Sequence, residues 1–281
     1  NQVKNCLKKK YKVLQADLNS NFETKLKSFK PEIVFNALHG RFGEDGYVQT
    51  ILENNKVKYT HSGVLSSALA MDKLSSKQIF IKNKILTPKF IIFKDSLSNI
   101  NSLKKKIKKK LKFPVVIKPI NEGSSVNVYI CKKKNIMSKL NLLREYKSII
   151  IEEFIPGREI QSAIIGTKKL GAIELKPKRE FYDYKAKYNP EAKTKHIIPV
   201  SLPKKKLDEL MNITLNTHKL INCRGVTRSD FKYFKGRFYL LEINTQPGMT
   251  KLSLVPEIAN YYGINFYNLI RLILKDASTN K

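Results

Sequence analysis

The 281-residue chain carries 54 basic residues against 23 acidic ones, a formal net charge of +31, with 42% hydrophobic content. That length buries a sizeable core and divides into two or three lobes, and no apolar run approaches the roughly 18 residues of a membrane span, so no membrane insertion is expected. Cys6, Cys131 and Cys223 are odd in number and widely spaced, and His39, His61, His196 and His218 show no metal-ligand spacing; this argues against a disulfide framework or a zinc site and fits a reducing compartment.

The first residue is Asn1, and NCLKKKYKVLQADL (5–18) reads as the end of a helix followed by a strand, entered in mid-element. A true N-terminus upstream of this chain is therefore expected, and no targeting segment is readable from it. PEIVFNAL (31–38) is a short apolar run after proline, a buried-strand candidate that ends at the loop HGRFGEDG (39–46). Helical patterns follow at 47–55, 63–70 and 72–83, then KFIIF (89–93) as a strand.

The run LKKKIKKKLK (103–112) places Leu103, Ile107 and Leu111 at steps of four, a narrow apolar stripe on a helix with a solvated lysine face. Lysines recur in every segment, and no nucleic-acid-binding signature accompanies them. Charge of this kind speaks to solubility and non-specific binding, so compositional bias is preferred to a specific nucleic-acid partner.

FPVVIKPI (113–120), VYIC, SIIIEEF, the 160–165 region and LGAIEL are further strands; 178–199 is polar and reads as a long loop. A helix at 204–221 precedes GVTRSDFKYF and RFYLLEI, a β-hairpin turning at Lys235-Gly236. The class is α/β or α+β in more than one lobe.

Four features carry chemistry. Lys118, at a strand end before proline, is unlikely to be buried without a partner, and a phosphate is a natural one. NEGSSVNV (121–128) supplies the small residues and hydroxyls of a phosphate-covering loop, although Gly-Ser-Ser is also an ordinary turn. Arg228 and Asp230 alternate on the first hairpin strand, and Glu242 and Asn244 on the second, so each pair shares a face. Hard oxygen donors in that arrangement suit Mg²⁺, with Arg228 nearby for a phosphoryl group. A lone E-x-N is also an ordinary solvated strand end, and no G-x-x-x-x-G-K-S/T phosphate loop is present.

These residues stand in blocks that resemble the ATP-grasp ligases, and in particular the D-alanine–D-alanine ligases: ALHGRFGEDG (37–46), SGVLSSALAMDK (62–73), VVIKPINEGSSV, IIIEEFIPGREI, FYDYKAKY (181–188), RSDF and LLEINTQPGMTKLSLVP (240–256). The resemblance spans nearly the whole chain. It implies a multi-lobe α/β (α+β) ATP-grasp fold with a truncated Rossmann-like N-terminal domain: residues 1–72 for substrate binding, 73–154 as the central subdomain, and 155–281 as the C-terminal subdomain with the metal and substrate site. The family's first strand, its loop with a substrate-orienting glutamate and part of its first helix are expected upstream of Asn1.

The implied roles follow position by position. Lys73 and Lys118 would contact ATP phosphates; Glu152, Glu153, Phe154 and Ile155 would hold the adenine, with Glu159 on the ribose and Phe181 packed on the base. Ser124 and Ser125 would sit on a closing loop, and Lys187 and Tyr188 on a mobile one. Asp230, Glu242 and Asn244 would bind two Mg²⁺ or Mn²⁺ per site. Arg228 and the backbone N–H of Gly248 would stabilise charge on the reacting carboxyl group, with His39 near the first D-alanine and Ser253 and Leu254 at the second. The implied activity is ligation of two D-alanines through an acyl phosphate for peptidoglycan precursor synthesis, in a cytoplasmic homodimer.

Two positions depart from the family pattern. Asn127 stands where glycine is usual, and asparagine tolerates positive φ. Ser229 replaces an apolar residue and should face away from the metals, a packing effect only. The alternatives are another ATP-grasp carboxylate–amine ligase, a D-alanine–D-lactate ligase, or an inactive fragment that still binds ATP.

Overall fold

The computed structural model describes residues 2–94, 100–123, 126–176, 194–250 and 253–279. Helices α2 (Phe22–Phe29) and α3 (Tyr47–Asn54) pack with a small parallel pair, β1 (Ile33–Val34) and β2 (Lys58–Tyr59), while α1 (Gln2–Leu7) buries Leu7 in the core of the C-terminal helices and α4 (Val64–Met71) follows β2. Phe22, Leu26, Val48, Leu52 and Tyr59 make the core of this part.

Helix α5 (Lys73–Lys82) leads into a four-stranded antiparallel sheet in the order β3 (Phe90–Lys94), β6 (Ser148–Glu153), β4 (Val115–Pro119), β5 (Tyr129–Cys131). Helices α6 (Ile100–Lys110) and α7 (Ile136–Asn141) accompany it. Leu103, Ile107 and Leu111 are buried against Val115, Ile117 and Ile151, so the lysine-rich run is held by its apolar stripe as its spacing predicts.

A five-stranded antiparallel sheet follows, ordered β11 (Arg237–Asn244), β10 (Val226–Phe234), β7 (Arg158–Ile165), β8 (Lys168–Lys176), β9 (Lys195–Ile197). Alternation in its strands feeds two cores. Ala163, Ile173 and Val226 meet α9 (Leu254–Tyr261) and α10 (Phe266–Lys275); Ile160, Ile164, Ala172 and Phe231 meet α8 (Lys204–Leu220). The fold mixes helix and sheet, as expected.

Three elements differ from the sequence reading. No strand forms in the first eighteen residues: beyond α1 the chain runs without a ladder partner among the described residues, while Val13 and Leu18 pack into separate cores. The 31–38 run contributes only the two residues of β1 to a sheet; Asn36 instead turns its side chain into hydrogen bonds to a loop. Within the stretch expected as loop, β9 forms because it pairs with the edge of β8, a tertiary contact that polar composition does not reveal.

Asn127 takes φ +55°, and its side chain lies between the Tyr146 and Tyr129 hydroxyls at 2.8 and 3.1 Å. The left-handed turn tolerated by asparagine is thus fixed from both sides. Ser229 is fully buried on the face opposite Arg228 and Asp230, and its hydroxyl finds no hydrogen-bond partner among the described residues.

Candidate active site

The hairpin of β10 and β11 builds one end of the site. Its register places Arg228 opposite Asn244 and Asp230 opposite Glu242, so four polar side chains form a cross-strand block on one face. The other face holds Ser229, Phe231, Leu240 and Ile243 in the core. A bulge leaves Leu241 as the extra residue between the Asp230–Glu242 and Phe231–Leu240 pairs. Leu241 and Glu242 consequently line the same cavity, the re-aiming that bulges near sites provide.

Arg228 grips Asp230 with two bonds, Nε to Oδ1 at 2.7 Å and Nη2 to Oδ2 at 3.0 Å. Glu242 has the Lys73 ammonium at 3.7 Å. Asn244 Oδ1 accepts the backbone N–H of Gln246 at 2.8 Å, so the chain turns immediately after the strand. Gln246 is buried, accepts a bond from Asn36 Nδ2 and donates to the Leu38 carbonyl. That latch ties the loop carrying His39 and Glu44 to the strand end carrying Asn244.

Helix α5 starts at the same place. Asp72 caps it by accepting from the Ser75 N–H at 2.7 Å. A lysine in the first turn opposes the helix dipole, yet Lys73 is buried there, donating to the Glu122 carbonyl. Burial pushes its ammonium below the ordinary lysine value, with Glu242 acting in the opposite sense. One turn later Lys77 is fully buried. It meets the Glu152 carboxylate at 3.0 Å, and Lys118 meets the same carboxylate at 2.9 Å. Burial alone would raise Glu152, but the charges of Lys118 and Lys77 hold it below the usual carboxylate range. Burial brings Lys77 down to about 8.

Two adjoining cavities result. The first, about 200 Å³, is lined by His39, Glu44, Arg228, Asn244, Gly248 and Ser253 among others. A Cβ at Gly248 would lie 2.8 Å from Ser253 Oγ and 3.8 Å from His39 Cε1, so only glycine fits that wall without displacement. The second runs between the two large sheets and is lined by Lys118, Glu152, Glu153, Phe154, Ile155, Glu159 and Asp230. Lys73, Glu122 and Glu242 belong to both.

Most of the residues singled out in the sequence are therefore brought together: His39, Arg228, Asn244, Gly248, Ser253 and Leu254 around one cavity, the 152–155 segment, Lys118, Glu159 and Asp230 around the other, and Lys73 and Glu242 at the junction. Lys118 finds Glu152 as its partner, and Glu159 holds Lys232 at 2.9 Å. Ser124, Ser125, Phe181, Lys187 and Tyr188 lie outside the described residues. Sequence reasoning missed Lys77, Glu44, Glu122 and Gln246. Lys77 carried one signal, its i, i+4 spacing from Lys73 on a helix.

For divalent metal, the described residues contain no group of three or more His, Cys, Asp or Glu that could hold an ion. Asp230 and Glu242 sit as register partners with Asn244 beside them, a hard-oxygen set that suits Mg²⁺ when substrate phosphates complete the coordination. The residues present fit such an ion.

Residues 79–275 match the family model described as the D-ala D-ala ligase C-terminus. The chain is 63% identical over 279 residues to a D-alanine–D-alanine ligase of Pelagibacter ubique, covering 99% of this chain and 91% of the relative. It superposes on the crystal structure of the D-alanine–D-alanine ligase of Bacillus anthracis with a TM-score of 0.83 at 35% identity, over 96% of this chain and 87% of that one. The same enzyme complexed with ATP gives a TM-score of 0.79 at 30% identity, again over 96% and 87%. With this agreement of sequence and fold, the chain belongs to the D-alanine–D-alanine ligase family and has its α/β ATP-grasp fold.

Proposed function

We infer that the chain joins two D-alanines at the expense of ATP, making D-alanyl-D-alanine for peptidoglycan precursors. One observation carries this reading best: two cavities of different chemistry meet at Lys73 and Glu242. The cavity between the sheets, with its lysine and backbone edge, takes the nucleotide. The cavity with His39, Arg228, Gly248 and Ser253 takes the amino acids, and the transferred phosphoryl group belongs at the junction.

The carboxylate of the first D-alanine attacks the γ-phosphorus and the bond to ADP breaks, giving an acyl phosphate. The amine of the second attacks the acyl carbon and loses a proton, and phosphate leaves from the tetrahedral intermediate. Little covalent work falls to the protein, which positions reactants and offsets charge. Lys73 and Lys118 hold phosphate oxygens. Arg228, aimed along the strand face it shares with Asp230, and the Gly248 N–H receive charge on the reacting carboxyl group. Asp230, Glu242 and Asn244 would hold Mg²⁺ or Mn²⁺, two per site, which supply further charge neutralisation at the phosphates when bound. His39 and Glu44, 3.4 Å apart, border the first amino-acid position, and Ser253 and Leu254 the second. Ser124, Ser125, Phe181, Lys187 and Tyr188 keep the closing and base-packing roles drawn from the family.

The lobes proposed are 1–72, 73–154 and 155–281. They fit the three separate sheets. Homodimerisation and residence in the cytoplasm are also part of this reading and rest on the family. No helix among the described residues is long and apolar enough to cross a membrane.

The test is phosphate release from ATP with D-alanine, compared with D-lactate, L-alanine and no amino acid. D-alanine-dependent release with dipeptide formation is expected. Preference for D-lactate, or release without regard to the amino acid, would overturn the assignment.

A further inference from the structure

Lys77 has no role in the chemistry above. Among the described residues it is fully buried and lines neither cavity, yet it forms an ion pair with the carboxylate that also pairs with Lys118. Its Nζ donates to Thr87 Oγ1 at 2.6 Å, and Thr87 donates to the Leu240 carbonyl at 2.8 Å, two residues before Glu242. A buried ion pair is weak ground for stability, because apolar replacements are often neutral or stabilising.

The charges give Lys77 a role. Lys118 reaches the nucleotide cavity with Glu152 only 2.9 Å away. Paired with Glu152 alone, Lys118 would form a neutral unit, and a phosphate entering the cavity would meet a carboxylate behind the ammonium. Lys77, 3.0 Å from the other carboxylate oxygen, balances Glu152 and leaves the triad with a net positive charge on its cavity side. We propose that Lys77 is a positioning residue for the nucleotide: it balances Glu152 so that Lys118 is held in place and still presents uncompensated positive charge to an ATP phosphate. This rests on the reading that Lys118 meets phosphate.

The test compares ATP KM, D-alanine KM, kcat and thermal midpoint for wild type, Lys118→Met, Lys77→Met, Glu152→Gln and the double variant Lys77→Met/Glu152→Gln. Lys118→Met tests the underlying reading, and unchanged ATP KM in it would defeat that reading whatever Lys77 does. Given a Lys118 effect, Lys77→Met should raise ATP KM about tenfold or more with little change in D-alanine KM, because a buried unbalanced charge acts strongly at short range. Removing Lys77 from the Glu152→Gln background should raise ATP KM far less than removing it from wild type, because no carboxylate is left to balance, a coupling that a cycle of variants measures directly. An equal rise in ATP KM on removing Lys77 in both backgrounds would overturn the proposal, since a structural role predicts accumulated damage. Unchanged ATP KM in Lys77→Met would overturn it as well. Should Lys77→Met fail to fold, the double variant is compared with Glu152→Gln: equal ATP KM in the two supports the proposal, and a clearly higher ATP KM in a folded double variant contradicts it. If neither folds, the triad serves stability alone and the proposal fails.

Discussion

Arg228 and Asp230, two residues apart on β10, face the same way and close a bidentate ion pair at 2.7 and 3.0 Å. The pair holds the guanidinium between the cross-strand block of Asp230, Glu242 and Asn244 and the cavity lined by His39, Gly248 and Ser253. A lysine cannot reproduce a forked contact with a carboxylate. Arg228→Lys is expected to lower kcat by about tenfold or more while ATP KM changes little, the split for a group that acts at the reacting carboxyl. Steady-state kinetics with both substrates varied checks this; a change confined to ATP KM would contradict it.

Glu242→Gln keeps side-chain size but removes the charged oxygen of the proposed metal set and the partner of Lys73 at 3.7 Å. Turnover should fall sharply, and the Mg²⁺ concentration for half-maximal rate should rise, with the thermal midpoint close to wild type. Turnover unchanged across a Mg²⁺ titration would remove Glu242 from the metal set.

The wall at Gly248 gives a steric prediction. Its added Cβ would meet Ser253 Oγ at 2.8 Å, so Gly248→Ala should raise D-alanine KM and leave ATP KM nearly unchanged. Adding Ser253→Ala removes the clashing hydroxyl and should recover part of the loss. A double variant no better than Gly248→Ala would mean that the wall itself is not what matters.

Gln246 joins the loop of Asn36 and Leu38 to the turn after Asn244. Gln246→Leu leaves the Leu38 carbonyl and Asn36 amide short of a buried partner, a loss of about 1–3 kcal/mol by the usual cost of an unsatisfied group. Chemical denaturation reads the stability, and D-alanine KM should rise because the His39 loop is untied. A variant as stable as wild type would show that the latch is redundant.

Acid sensitivity follows from two buried histidines. Burial, with His39 adding to it, holds His61 down to about 3, and burial holds His218 down to about 4. Below the ordinary value of 6.5 the unfolded chain binds protons that the folded chain refuses, so stability falls from pH 6.5 toward about 4 and levels off lower. Each contributes a loss on the order of 2 kcal/mol by pH 5. Thermal midpoints from pH 7.5 to 5 check the slope. His218→Gln should flatten it, since it removes one of the titrating groups.

Much of this architecture was readable where structure is decided locally. The Lys235-Gly236 turn between two apolar runs fixed the hairpin, and its period of two put Arg228, Asp230, Glu242 and Asn244 on one face. The lysine-rich helix was readable from three apolar positions. Asn127 was readable from the φ it takes. What escaped depends on partners distant in the chain. Lys77 looks like a solvated lysine until Glu152 is brought against it. Residues 195–197 become β9 only beside the edge of β8. Glu122 and Gln246 reach the site through a backbone carbonyl and a buried side-chain latch, and neither leaves a spacing in the sequence.

The central claim is that a carboxylate held in one cavity takes the phosphoryl group from a nucleotide held in the other. D-alanine labelled with ¹⁸O in its carboxylate, incubated with the protein, ATP and Mg²⁺, tests it most directly. Attack by the carboxylate carries one of its oxygens onto phosphorus and releases it in phosphate when the amine displaces it. Mass spectrometry should find one ¹⁸O in each phosphate released with dipeptide. Dipeptide formed with unlabelled phosphate would contradict transfer through an acyl phosphate.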